Sequence, residues 1–342
     1  MKAMLFHQHG DLENLVYAEI PDPQPRPGEV LVQVHACALN RLDILARLGE
    51  TETPIPLPHI PGSDISGVIA KLGPEVEGFQ GGERVVVNPR IFCGRCEFCL
   101  QGEQSMCLHY TVIGWQRHGG YAEYVAVPAQ NVMEMPDGFP FEAAAAVPLA
   151  FTTAFRMLIN RAEVREGENV LILGASGGVS SAAVQVAKLA GATVFATTTS
   201  STKLQRIREI GADFVIDASK DAFDEVVLDH TGGRGVDVVF QTLAGDTWQR
   251  SVNCVRRGGR IVICATLCGA NPPADLGTIL WKQIKVIGST GGTPLDFQKV
   301  MNSVWQGRVR PLVDRVFPLQ QAREAQQYLM SQKQFGKVVL VP

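Results

Sequence analysis

No stretch of this 342-residue chain is apolar for long enough to span a membrane, and the opening Met1-Lys-Ala-Met-Leu-Phe6 lacks the pattern of a secretory signal,. A dominant charge is also missing. The 31 Lys and Arg nearly balance 34 Asp and Glu, and the net charge of −3 gives no reason to expect nucleic acid or an anionic membrane as a partner,. No internal repeat shows. Cysteine is too sparse for a disulfide framework: there are eight in all, and four of them fall together, which points to a metal and a reducing compartment,. A cytoplasmic protein is expected. The length predicts two domains, and a hydrophobic content of 46% is ample for their cores,.

Residues 169–203 read as one strand–turn–helix–strand unit. Residues 170–173 form an apolar run suited to a strand buried on both faces,. The segment Gly174-Ala-Ser176-Gly177-Gly178 is a turn poor in side chains. From Val179, small and apolar residues recur at helical spacing until Gly191 ends the helix,. A glycine-rich turn between strand and helix lets backbone N–H groups approach a pyrophosphate, and the helix N-terminus favours its charge. In a GxGxxG alignment the first and last glycines are replaced by Ala175 and Ser180, and only Gly177, followed by Gly178, remains in the centre. A structural βαβ turn is the competing reading. The position between strand and helix favours a dinucleotide site.

The end of the second strand bears on which dinucleotide. NAD sites usually carry an Asp or Glu there for the ribose 2′-OH. This chain has Thr197-Thr198-Thr-Ser200-Ser-Thr-Lys203 and no carboxylate. Hydroxyls with Lys203, and Arg206 one turn behind it, suit a 2′-phosphate. NADP(H) is therefore expected over NAD(H); a solvated polar loop is the alternative.

Residues 1–150 read as mostly β, with strands near 30–34, 65–70, 84–87 and 121–127 separated by Pro- and Gly-rich turns,. Within them, Cys93, Cys96, Cys99 and Cys107 have the spacing C-x2-C-x2-C-x7-C. Four thiolates can close a tetrahedron around one zinc ion and leave no position open for substrate, so the metal would be structural. The spacing differs from ferredoxin runs, which disfavours an iron–sulfur cluster. Residues 142–160 suggest two helices broken at Pro148. Six strands, at 170–173, 194–197, 214–216, 236–240, 260–264 and 285–287, alternate with helices and predict a doubly wound α/β sheet,. After Gly291-Gly292 come a helix at 295–306, a strand near 316, a helix at 320–331 and a strand at 337–341.

Several markers occur together in order: Pro61-Gly62-Ser63-Asp64-Ile-Ser-Gly67-Val, the four-cysteine loop, Gly119-Gly-Tyr-Ala-Glu-Tyr124, Ala146-Val-Pro-Leu-Ala-Phe-Thr-Thr-Ala154, the glycine-rich turn and Phe335-Gly-Lys337-Val-Val. Over essentially the whole chain this set resembles the medium-chain dehydrogenase/reductase family, which includes zinc alcohol dehydrogenases and quinone reductases. The resemblance implies a GroES-like β-barrel catalytic domain from residues 1–150 and 292–342. It implies a Rossmann dinucleotide domain from 151–291, with the active site in the cleft. It also implies Arg41 and Lys337 near the pyrophosphate and Thr153 and Val179 beside the nicotinamide. A homodimer or homotetramer is expected through an edge of the dinucleotide sheet, near residues 279–287.

The chain departs from the zinc alcohol dehydrogenases where the resemblance would place the catalytic metal. The aligned positions are Asn40, Ser63-Asp64 and Leu149, and the proton-relaying hydroxyl is replaced by Leu42. Asn40-Arg-Leu-Asp43 and Pro61-Gly-Ser-Asp64 resemble the metal-free reductase branch. A substitute metal site from Cys37, His59 and Asp64 is a minor alternative. Without zinc, a simple carbonyl loses its Lewis acid. An activated C=C needs only donors for the developing enolate oxygen. The catalytic candidates are thus Asn40, Ser63, Asp64 and His118, the last as a proton donor near neutral pH. The leading expectation is NADPH-dependent reduction of an enal, enone, quinone or enoyl-CoA. An NAD(P)-dependent alcohol dehydrogenase is the second reading, and a non-enzymatic nucleotide-binding or structural protein the third.

Overall fold

The computed structural model describes every residue except Glu52. The chain forms two compact units. The first comprises Met1–Leu149, Thr293–Phe297 and Pro311–Pro342, and the second comprises Ala150–Gly292 and Gln298–Arg310.

The first unit is built on one long strand, Glu29–Ala38. Its Val30, Val32 and Val34 face the core while Gln33 and His35 face out, the alternation of a half-buried strand. It pairs antiparallel with Asp64–Leu72, Tyr124–Pro128 and the tail strand Lys337–Val341. Val313–Pro318 adds beyond the tail, and Arg84–Val87 and Val132–Glu134 beyond Asp64–Leu72. Val34 pairs with Gly67 and Ala36 with Ser66, so His35 is the extra residue of a bulge. The bulge lets its ring stack on Phe141 at 4.3 Å, and Arg84 lies over Phe141 at 4.0 Å. Helix Phe141–Ala145 is held on the sheet by this stack and by the Ser66 hydroxyl, which donates to the Phe141 carbonyl at 2.7 Å.

The second unit is a six-stranded parallel sheet. Its order is Phe214–Asp217, Thr193–Thr198, Asn169–Ile172, Val236–Gln241, Val255–Ile263 and Lys285–Gly288. Every residue of Val236–Gln241 is buried, as befits a strand covered on both faces. The order reverses beside Asn169–Ile172, the place where ligands bind in open α/β sheets. This is the expected Rossmann architecture, and the first unit is the expected GroES-like one. One boundary differs. Residues 298–310, expected with the barrel, belong to the second unit. The side chain of Gln185, in helix Gly178–Leu189, bonds both the amide and the carbonyl of Arg310, at 2.7 and 2.9 Å.

Gly67 shows how closely the bulged pair packs. A Cβ there would lie 2.0 Å from the Gln33 carbonyl oxygen, so any side chain must push the two strands apart. We expect Gly67→Ala to destabilise the first unit by about 3 kcal/mol. Chemical denaturation of the variant beside the native chain measures it, and an unchanged midpoint would refute the argument.

Candidate functional site

In the first unit, pairing of the tail with Glu29–Ala38 carries Lys337 to the far end of that strand, where the Leu39 amide donates to the Val338 carbonyl at 2.8 Å. There the Lys337 ammonium donates to the Leu39 carbonyl at 2.7 Å, Asn40 Oδ1 at 2.5 Å and Asp64 Oδ2 at 3.0 Å. Both charged groups are almost fully buried. Because Lys337 has only donors, the Asn40 oxygen must face it, which fixes the amide orientation. Asn40 Nδ2 then donates to Asp64 Oδ2 at 3.0 Å and to the Ala38 carbonyl at 3.3 Å. The second Asp64 oxygen takes the Leu149 amide at 2.8 Å. So Asn40, Asp64 and Leu149 do converge, and they converge on an ammonium.

This geometry bears on two expectations. Both Asn40 amide hydrogens are engaged, so Asn40 has none to give a substrate oxygen. All three Lys337 protons are engaged as well, which leaves none for a pyrophosphate. Arg41 is different: it opens helix Arg41–Leu48 and its side chain is exposed. Ser63 is the remaining polar group, and its buried hydroxyl has no hydrogen-bond partner among the described residues. It is the donor of this cluster still open to a ligand.

Beneath lies Asp43, fully buried, whose carboxylate takes the Asn40 amide at 2.8 Å, the Gly62 amide at 3.2 Å and the Tyr121 hydroxyl at 3.2 Å. Burial outweighs these donors and raises the Asp43 carboxyl to about 7. Gly62 has φ 104°, and a Cβ there would strike the Tyr121 ring at 2.4 Å; the Pro61-Gly62 segment thus requires glycine. His118 is exposed, and its Nδ1 accepts the Ile60 amide at 3.4 Å. Partial desolvation lowers its pKa. With Nδ1 accepting that amide, the neutral ring carries its proton on Nε2. The substitute metal site also fails on geometry. His59 Nε2 donates to the Gly114 carbonyl at 3.1 Å, burial lowers its pKa to about 4, and Asp64 is held by Lys337.

The four cysteines close on one another. Their sulfurs all lie within 4.8 Å, with Cys93 and Cys99 at 4.0 Å. Tetrahedral zinc with Zn–S bonds of about 2.3 Å sets sulfurs about 3.8 Å apart, so the set fits the ion. The one-turn helix Glu97–Leu100 and the turn Gln104–Met106 shape the loop. Amides of Cys93 and His109 point at the Cys107 sulfur, at 3.3 and 3.4 Å. Such donors stabilise thiolate ligands.

In the second unit, Gly174 takes the left-handed conformation, with φ 61°. The sharp turn is thus made one residue before Ala175, which explains why alanine is tolerated there. Ala175 is buried, and its amide donates to the Thr197 carbonyl at 2.8 Å. Ser180 stands at the last glycine position, and its hydroxyl donates to the Leu173 carbonyl at 2.9 Å. The helix can therefore pack close to the strand without glycine. Helix Gly178–Leu189 starts at Gly177 with no side-chain cap. The first-turn amides, including those of Gly178 and Val179, suit a pyrophosphate. Ser176 lies in the turn itself. Thr153 is buried in helix Pro148–Phe155.

One group escaped sequence reasoning. Asp217 is in register with Thr198 on the adjoining strand. Its oxygens accept the hydroxyls of Ser201 and Ser219, both at 2.6 Å, and these donors lower its pKa to about 2. A carboxylate thus does stand beside the hydroxyl run, supplied by another strand. Parallel pairing was the missing signal. The Ser200 amide donates to Thr198 Oγ1 at 3.2 Å, and Lys203 is buried in the turn Ser201–Lys203.

A glycine-turn Rossmann unit and a GroES-like unit with a four-cysteine loop define an NAD(P)-dependent oxidoreductase acting on small molecules. Residues 26–137 match the alcohol dehydrogenase GroES-like domain, and residues 178–306 match the zinc-binding dehydrogenase family. An alcohol dehydrogenase of Geobacillus stearothermophilus is 32% identical, over 99% of this chain and 99% of its own length. An acryloyl-coenzyme A reductase of Sulfurisphaera tokodaii is 30% identical, over 95% of each. The crystal structure of an NAD-dependent alcohol dehydrogenase superposes with a TM-score of 0.95 and 39% identity, covering 100% of both chains. The chain belongs to the zinc-type alcohol dehydrogenase, or medium-chain dehydrogenase/reductase, family, and its four-cysteine loop is that family's structural zinc loop.

Elemental analysis should find about one zinc per chain. Cys107→Ser should lose that zinc and lower the melting temperature, because the loop has little core of its own, yet hydride transfer should persist. No zinc in the native chain, or zinc retained in full by Cys107→Ser, would overturn this assignment.

Proposed function

We propose that the chain is an NADP(H)-preferring reductase of activated double bonds, of the enal, enone, quinone or enoyl-CoA class, working without a catalytic metal. The observation that carries the reading is the Lys337 ammonium bonded to Asn40 and Asp64. A cation already neutralises Asp64, and Leu149 offers the cluster only its backbone amide. A nicotinamide cofactor, when bound at the glycine-rich turn, would be the source of the hydride. Ser63 donates its hydroxyl to the substrate carbonyl oxygen and holds the enolate as charge develops. Asn40, Asp64 and Lys337 fix the Ser63 segment without touching substrate. The α-proton comes from water or from His118, whose pKa partial desolvation lowers. In the second unit Ser176, Gly177 and Gly178 would hold the pyrophosphate, with Thr153 and Val179 beside the nicotinamide; in the first unit Arg41 offers an exposed cation suited to the same phosphates. Thr198, Ser200 and Lys203 take the 2′-phosphate.

The second reading is an alcohol dehydrogenase, and the comparisons favour it by name, since alcohol dehydrogenases outnumber acryloyl-coenzyme A reductases among the relatives. Asp217 likewise favours NAD(H), because a carboxylate repels a 2′-phosphate. Parallel turnover of enone, enoyl-CoA and alcohol panels with both cofactors decides between them. The proposal expects enone or enoyl-CoA turnover with NADPH and a fall in kcat on the order of a hundredfold in Ser63→Ala. Lys203→Ala should weaken NADPH by about 1–3 kcal/mol and leave NADH unaffected. Alcohol oxidation as the faster reaction would sink the reading.

We further propose a homodimer or homotetramer through the outer sheet edge. Lys285–Gly288 is unpaired on one side, and Leu276, Leu280, Trp281 and Val286 are 71%, 72%, 75% and 49% exposed. Such an edge invites strand addition by a second copy. Light scattering at micromolar concentration should show at least a dimer, and Trp281→Glu should shift it toward monomer. A native monomer would refute the assembly.

A further inference from the structure

A second basic feature of the Rossmann unit has no part in the chemistry above. Arg234, Arg256, Arg257 and Lys282, with Leu228, Gly233 and Val255, surround a hollow of about 430 Å³. Arg234 precedes strand Val236–Gln241, and Arg256 and Arg257 lie in the first residues of Val255–Ile263. The hollow therefore sits at the N-terminal ends of these strands. The glycine-rich turn follows the C-terminal end of Asn169–Ile172. Because the sheet is parallel, the two places are separated by the length of a strand, about 20 Å.

Four cations face this hollow, and one carboxylate, Asp237, is bonded within the cluster. Asp237 takes both terminal nitrogens of Arg234, at 3.0 and 2.7 Å, and Nε of Arg256. Burial pushes its carboxyl up, but the two guanidiniums and the Asn169 amide prevail and hold it at about 2. Its charge is therefore fixed. Glu168 pairs with Arg260 instead. Lys282 is fully used, donating to the carbonyls of Val252, Asn253 and Val255 at 3.1, 2.6 and 3.0 Å. Arg257 donates through Nη1 to the Trp281 carbonyl at 3.0 Å. Its Nε and Nη2, and Nη2 of Arg256, have no acceptor among the described residues. Like charges gathered around a hollow repel, and a multivalent anion relieves that repulsion while filling the open donors.

We propose that this basin binds a small anion carrying two or more linked phosphates, at a site separate from the dinucleotide. The guanidinium forks match phosphate oxygens in geometry. Leu228 and Val255 give the site an apolar wall, which would distinguish a nucleotide polyphosphate from a free one.

Isothermal titration of the full chain, saturated with NADPH, tests this with tripolyphosphate and with ATP as the two sources. The expected result is one tripolyphosphate per chain, with affinity falling steeply as salt rises. Arg257→Gln should weaken it at least about tenfold, the scale of one charge-assisted hydrogen bond, and Arg257→Lys should lie between. ATP binding equal to tripolyphosphate assigns recognition to the phosphates alone, and tighter ATP binding adds the apolar wall; both support the site. Thermal melting of the variants checks that they fold, as expected for an exposed side chain. No saturable binding, equal affinity in Arg257→Gln, or displacement by NADPH would overturn the proposal.

Discussion

The first unit depends on one buried cation. Lys337 is 297 residues from Asn40 and 273 from Asp64, yet its ammonium bonds both. That contact exists because Lys337–Val341 pairs with Glu29–Ala38, which brings the end of the chain beside its beginning. A buried ion pair contributes little net stability, but removing one partner costs about 3–5 kcal/mol because the other charge is stranded. Tail pairing and site geometry are therefore one constraint. Loss of either would release the Asn40 amide, the Asp64 carboxylate and the segment that carries Ser63.

The zinc loop obeys different physics. Its four sulfurs come from one short, hydrophilic segment, and their approach to within 4.8 Å depends on local turns. The Asn40–Asp64–Lys337 cluster instead draws on three distant segments and the core beneath them. Hence the loop is expected to respond to metal supply, whereas the cluster responds to folding of the whole unit. Donor counting gives the cluster its chemical meaning. Lysine can only donate, so it sets the orientation of Asn40, which in turn saturates Asp64. Ser63 is left as the polar atom without a partner.

Local spacing made much of this legible from sequence. Cys93, Cys96, Cys99 and Cys107 are separated by short intervals, and the strand–turn–helix at residues 169–191 is contiguous. The six strands of the second unit follow from apolar runs between helical segments. Long-range pairing was less legible. Lys337 read as a phosphate ligand because its partners Leu39, Asn40 and Asp64 are distant in sequence, and Asp217 escaped notice because only parallel register sets it beside Thr198. The left-handed turn moved from the expected first position to Gly174, since the residue that needs positive φ is set by backbone geometry. The first boundary error has the same origin: Gln185 ties residue 310 to the second unit through bonds that no local pattern announces.

Metal occupancy and the Lys337 contact would compete at Asp64. One Asp64 oxygen already takes the ammonium and the Asn40 amide, and the other takes the Leu149 amide. A divalent cation that displaced the ammonium from that carboxylate would leave it with the buried carbonyl of Leu39 and the oxygen of Asn40. Uncompensated burial of an ammonium costs several kcal/mol. Repulsion between the two cations, in surroundings of low dielectric, would add to it. A metal would therefore need strong neighbouring ligands to prevail, and Asn40, Ser63 and Leu149 supply an amide, a hydroxyl and an alkyl chain. Lys337 thus places a positive charge against Asp64 and steadies the segment that carries Ser63.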